Sequence, residues 1–344
     1  MARVNERKNM KLRKLVAIAT ATLLAATLAA CGSSSDSASE SSAAANKVTK
    51  IAFFGFWKTN SFTQAVLAGV EETAAAQGIE VVDLSPTEYD GAAQIKAMQD
   101  QTVKGDAQVY ITLAIDPVGL ATAAEEAMGA GIKVVAAFTP LGPLFDTLEP
   151  QVPGLIVAGE TPISNGEVLG KLAAKACADK NPCNVVYLEG FKTLPLDNAR
   201  TKAFGEALAA GAPNAKIIAS LEAGYSPETG KKAAQDALQA NPAIDVMVGS
   251  SQANLGAQDV VDTTKVMLIG NGSSTEAYAA VNSGAWFGLY NGDIKGIGKK
   301  SAELGIAAAN GETVNPVFDT TTLLDPMGTK DVVAGLVGSY SDLG

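Results

Sequence analysis

A chain of 344 residues is long enough for two domains, and its 47% hydrophobic and 18% charged residues exclude a disordered polypeptide. Histidine is absent, which excludes Ser-His-Asp and Cys-His catalysis and any histidine-held zinc; no metal and no cofactor are expected. The formal net charge is -10, and without a basic patch the surface repels nucleic acid, so none is expected as a partner.

In chain order, a basic start (Arg3, Arg7, Lys8, Lys11, Arg13, Lys14) precedes the uncharged run Leu15 to Leu28. That run is too short for the ~20 residues of a membrane-spanning helix and suits a signal-peptide core of ~7 to 15 residues. Leu28-Ala29-Ala30-Cys31-Gly32 resembles a bacterial lipobox. Residues 1-30 therefore read as a lipoprotein signal peptide and Cys31 as the lipidated residue, giving an extracytoplasmic, membrane-anchored chain. An ordinary small-residue cleavage site with an incidental cysteine is the alternative. Met10 serves as a start as well as Met1, since the export signal lies after it. Residues 31-46, rich in Ser and Ala, read as a flexible tether. Removal of residues 1-30 leaves 20 basic and 35 acidic residues, a net charge of about -15.

From Lys47 onward, short apolar runs alternate with Ala-rich ones. The spacing predicts strands at Lys50-Phe54, Ile79-Val82, Val109-Leu113, Lys133-Ala137 and Leu155-Ala158, then at Val185-Leu188, Lys216-Ser220, Val246-Gly249, Val266-Ile269 and Trp286-Tyr290. Helices are predicted between them at Phe62-Ala76, Gly91-Lys104, Leu120-Ala130, Asn165-Ala178, Asn198-Ala210 and Pro227-Ala240. Such alternation implies an α/β fold with parallel sheets covered on both faces, and ten units are more than one sheet holds comfortably. Two doubly wound, Rossmann-like lobes in sequence are expected. Cys177 and Cys183 flank an Asn-Pro turn, and in an exported chain this pair is expected to form a disulfide; a redox or metal role lacks further ligands.

Ligands of open α/β sheets sit beyond the carboxyl ends of the strands. After the first strand, Phe53 to Phe62 hold five of the 19 aromatic residues. Phe138-Thr139 follow the fourth strand, Ser250-Ser251-Gln252 the eighth, and Asn271-Gly272 the ninth; the tenth ends in Tyr290-Asn291. Rings, amides and hydroxyls with hardly a charge suit a small neutral ligand held by stacking and hydrogen bonds. Several of these residues have structural readings too. Asn60 can cap the following helix, Ser250 to Gln252 can satisfy helix amides, Arg200 reads as structural, and Asp116-Pro117 reads as a helix start. Gly292, Gly296 and Gly298 before Lys299 fail the phosphate-loop pattern and read as a crossover between lobes.

Several segments, in this order, resemble the type I periplasmic binding proteins, specifically the ribose-type sugar-binding lipoproteins of ABC importers. They are Asn60-Ser61-Phe62, Asp90 with Gln94, the run Ala130 to Val135, Gly190 with Arg200 and Phe204, Leu255-Gly256-Ala257, and Gly270-Asn271-Gly272. The resemblance spans about Lys47 to Phe318. It implies two lobes joined by a three-stranded hinge: an N-terminal lobe of 47-159 plus 292-319 and a C-terminal lobe of 160-291 plus 320-344. It implies ligand contacts from Trp57, Asn60, Phe62, Phe138 and Thr139 in the first lobe, and from Asn198, Tyr225, Ser250, Gln252, Asn271 and Tyr290 in the second. It further implies a monomer without catalytic residues that captures a small molecule and hands it to an ABC permease. A receptor presenting its ligand to a membrane sensor is the alternative. A carboxylate-pair glycosidase would need two acids beside the cleft, and a repressor of this fold would lack the export signal.

The chain departs from that pattern where Phe138-Thr139 replace the usual Asp-Arg pair, where Asn198 stands for an Arg, and where Asn271 stands for an Asp. Loss of charge-assisted hydrogen bonds points to a neutral ligand less densely hydroxylated than a pyranose: a polyol, a deoxy or anhydro sugar, or another small cyclic compound.

Overall fold

The computed structural model describes residues 47-343; the signal segment, Cys31 and the tether lie outside the described residues. The strands form two six-stranded sheets. The first contains β1 (Lys50–Phe54), β2 (Glu80–Asp83), β3 (Val109–Thr112), β4 (Lys133–Phe138) and β5 (Ile156–Gly159), with β11 (Val317–Asp319) at its edge in the order β11-β5-β4-β3-β1-β2. The second contains β6 (Cys183–Glu189), β7 (Ala215–Glu222), β8 (Val246–Ser250), β9 (Met267–Asn271) and β10 (Gly288–Tyr290), with β12 (Met327–Thr329) at its edge in the order β12-β10-β9-β8-β6-β7. Each is a doubly wound α/β sheet, as the sequence predicted. In each, the strand order reverses beside the first strand, so a crevice opens between β1 and β3 and between β6 and β8.

The continuous apolar strands bury alternate residues on opposite faces. In β1, Ile51 and Phe53 pack under α1 (Ser61–Ala75) and α9 (Ile294–Ala309), whereas Ala52 and Phe54 pack under α2 (Gly91–Lys104) and α3 (Pro117–Gly129). In β6, Val185 and Tyr187 face α4 (Pro162–Ala176) and α5 (Pro195–Gly211); Val186 and Leu188 face α6 (Pro227–Ala240), α7 (Ser251–Gln258) and α8 (Thr275–Ser283). Cys177 and Cys183, at the end of α4 and the start of β6, are joined by a disulfide with Cα atoms 5.5 Å apart.

The structure differs from the sequence reading in three ways. Helices α4 and α5 start three residues earlier than predicted, at Pro162 and Pro195, because proline fits the first helical position, where its missing N–H costs nothing; α3 likewise begins at Pro117 rather than Leu120, where Asp116-Pro117 were read as a helix start. β12 runs antiparallel to β10, because the chain reaches it directly from β11 in the other sheet, without the helix that a parallel return requires. Only Gly292 lies at the crossover; Gly296 and Gly298 belong to α9. A Cβ on Gly298 would stand 2.0 Å from the carbonyl oxygen of Val66, and one on Gly69 would stand 2.1 Å from that of Lys295. These glycines let α1 and α9 cross backbone to backbone.

Candidate ligand-binding site

A cavity of about 90 Å³, room for several water molecules at ~10–15 Å³ each, lies where the carboxyl ends of both sheets face each other. The first sheet contributes the loops after β1, β2, β4, β5 and β11; the second contributes those after β6, β7, β8, β9 and β10.

The loop after β1 is held from beneath. Gln94 in α2 is fully buried, and its Nε2 donates to the carbonyls of Gly55 and Leu113 at 2.8 Å while its Oε1 accepts from Ile115 N. Ser85 Oγ accepts from Gly55 N, and Asn60 Oδ1 caps α1 by accepting from Thr63 N at 2.9 Å. This leaves Phe56, Trp57 and Phe62 against the cavity. Phe62 meets Phe138 edge to face at 4.8 Å between ring centres, and Trp57 meets Tyr89 at 5.5 Å. Tyr89 in turn lies 5.2 Å from Phe191, which lies 5.5 Å from Tyr225, so a continuous row of rings passes from the loops of one sheet to those of the other. Phe138 holds a backbone φ of 67°, in the left-handed region that costs a non-glycine residue ~1 to 3 kcal/mol. Its carbonyl accepts from Glu160 N, and the kink turns its ring into the cavity wall.

The charged groups of the wall correct the expectation of an almost uncharged lining. Glu160, directly after β5, is buried; its carboxylate accepts from the Tyr290 hydroxyl and from Asn165 Nδ2 at 3.1 Å. Burial pushes its pKa up to about 7, against the opposing pull of the Tyr290 hydrogen bond and the nearby Arg200 charge. Arg200 is buried and lines the cavity while donating from Nη1 to Asp197 Oδ1 at 2.6 Å and to the Tyr225 hydroxyl at 3.1 Å. Asp293 caps α9 by accepting from Gly296 N.

Of the residues expected to contact a ligand, Trp57, Asn60, Phe62, Phe138, Tyr225, Gln252, Asn271 and Tyr290 line this cavity. The other three do not. Thr139 is buried behind Phe138; Asn198 is exposed and donates to the carbonyl of Lys192; Ser250 caps α7 and donates to the carbonyl of Gly224. Asn271 exchanges two 3.1 Å hydrogen bonds with Asn165. Sequence reasoning missed Glu160, Asn165, Arg200, Tyr89 and Tyr340. Inspecting the residue after the fifth strand would have found Glu160. No pattern marks Tyr340, which reaches the wall because its carbonyl accepts from Thr275 N and its hydroxyl from Ser273 N at the start of α8. Lys58 and Lys192 are exposed and outside the lining. Among the described residues, no group of three acidic or cysteine side chains could hold a metal ion, and no helix is long and apolar enough to cross a membrane.

Two α/β lobes with a cavity at their facing strand ends define the architecture of extracytoplasmic binding proteins, and the comparisons place the chain accordingly. The sequence profile described as "Periplasmic binding protein domain" matches residues 51–313, and the chain belongs to that family. An ABC transporter periplasmic solute-binding protein from Actinobacillus succinogenes, solved with D-allose, is similar in structure with a TM-score of 0.73 at 21% identity, over 83% of this chain and 99% of that one. An ABC transporter solute-binding protein from Mycobacterium smegmatis, solved with glycerol, gives 0.71 at 24% identity over 86% and 99%. The Caulobacter myo-inositol binding protein gives 0.68 at 20% identity over 78% and 90%. Compared with curated proteins, the chain has no match.

Proposed function

We propose that the protein is an extracytoplasmic solute receptor that encloses a small neutral molecule between its lobes and delivers it to an ABC permease. The observation that carries this reading is the cavity itself, walled by the strand ends of both sheets and crossed by a row of rings that continues through the Tyr89–Phe191 contact. A solute seated there touches both lobes, so it binds the closed arrangement more tightly than the open one and shifts the population toward closure. A ligand among the sugars, polyols and related cyclic compounds is in keeping with the structurally similar proteins, which were solved with D-allose, glycerol and myo-inositol. Residues 1-30 act as the export signal and Cys31 carries the lipid that keeps the receptor at the membrane. The ligand is held by Trp57, Phe62, Phe138 and Tyr290 through stacking and by Asn60 and Gln252 through hydrogen bonds.

Thermal unfolding with a panel of sugars, polyols and cyclic alcohols tests the receptor role. A true ligand at a hundred times its Kd stabilises the protein by about 2.7 kcal/mol, a rise of several degrees in Tm. Absence of any response, together with native mass spectra free of co-purified small molecules, would leave only the fold.

A further inference from the structure

The hydrogen-bonding groups of the cavity wall are largely spent on one another. Asn271 and Asn165 pair through both amides, and Asn165 also serves Glu160. Tyr290 donates to Glu160, Tyr225 donates to Asp197, and Asn291 accepts from Tyr278 while donating to the carbonyl of Asp325. A ring with a hydroxyl on nearly every carbon would enter with its donors and acceptors facing groups already engaged. Each buried polar group left unmatched carries its full desolvation penalty, so a densely hydroxylated ligand is disfavoured. What remains is chiefly apolar: ring faces and edges from both lobes, backed by Leu196, Ile294 and Ile297. Among the described residues, the amide nitrogens of Asn60 and Gln252 on the wall donate to no other group and remain free for a ligand. The Arg200 charge is already balanced by Asp197, and the carboxyl of Glu160 adds no positive charge, so the wall offers an anion nothing further.

Resting on the receptor reading above, we infer that the ligand is a neutral cyclic molecule, mostly hydrocarbon, with one or two oxygen functions: an alicyclic or aromatic alcohol or ketone rather than a hexose or an inositol. One oxygen accepts from the amide of Asn60 or Gln252 and a second, where present, from the other, while the ring lies among the aromatic side chains.

The test is isothermal titration and thermal unfolding of the chain from Lys47 onward, with cyclohexanol, cyclohexane-1,2-diol, cyclohexanone and 4-hydroxybenzyl alcohol set against D-allose, myo-inositol and glycerol. The inference expects saturable binding within the first group, at least tenfold tighter than any of the second, with a negative heat-capacity change. It also expects Phe62→Ala to weaken that binding at least tenfold, while circular dichroism and the unfolding transition verify that the variant folds. Tighter binding of D-allose, myo-inositol or glycerol overturns the inference and leaves the receptor reading standing. If neither group binds and native mass spectrometry finds no retained small molecule, the receptor reading falls and the inference with it.

Discussion

Glu160 shows how one residue can tie the cavity to solution acidity. Its carboxyl titrates near pH 7 in the folded protein and near 4.5 when burial is removed. Between those values the folded state keeps a proton that the unfolded chain has lost, so stability falls as pH rises through this window and the loss is complete above about 7. At ~1.4 kcal/mol per pH unit the ceiling is about 3 kcal/mol. Tm should therefore drop from pH 5 to pH 8, and Glu160→Gln should flatten the drop. Burial also raises the Asp342 carboxyl, so the informative quantity is the difference between wild type and variant. Phe138 supplies a second check. Phe138→Gly relieves a backbone strain of ~1 to 3 kcal/mol while giving up a partly buried ring, so the two effects offset and the apo protein should shift by less than about 2 kcal/mol. Ligand-induced stabilisation should nevertheless fall sharply, as paired melts with and without ligand would show. At this scale the sequence was informative where a side chain sits at the carboxyl end of a strand, as with Phe138, Asn271 and Tyr290. It was silent where a contact depends on distant chain, as in the Asn165–Asn271 pair, separated by 106 positions.

At the scale of elements, the predicted strands and helices rest on patterns that the physics of burial enforces. β1 reads as apolar at every position because helices cover both of its faces, and Asp90, Asp116 and Ser226 announce helix starts because each accepts from a backbone N–H of the first turn. What escaped was short or set by tertiary packing. β11 and β12 have three residues each, and the glycines of α9 look like loop punctuation until α1 is seen against them. The α1–α9 crossing leads to a prediction: Gly298→Ala forces a methyl into the carbonyl of Val66 and should destabilise by ~1 to 3 kcal/mol, read as a lowered midpoint in urea with an unchanged slope. The Cys177–Cys183 bridge closes a short loop between α4 and β6, and on the chain-entropy model the double Cys→Ser variant should lose about 2 kcal/mol. Unfolding under reducing and oxidising conditions would check it.

For the whole molecule, the arrangement of the two lobes about a shared cavity predicts motion. A saturating ligand should reduce the radius of gyration in small-angle scattering, and a label pair on exposed Lys58 and Lys192 should move together on binding. An unchanged distance with demonstrable binding would mean that the cleft is closed before the ligand arrives. The two-lobed α/β architecture was legible from the count of alternating units. The charge within the cavity was not, because Arg200 follows no strand directly and the environment that raises the Glu160 pKa exists only after both sheets are in place.

The outermost strand of the first sheet and that of the second come from one short stretch, Val317 to Thr329, which pairs with β5 at its beginning and with β10 at its end. Each half of the molecule thus waits on the same late piece of chain for its border. A polypeptide cut just before Val317 would lack the rims of two cores at one stroke, and neither half should be obtainable as an independently stable fragment by dividing the chain at a single point.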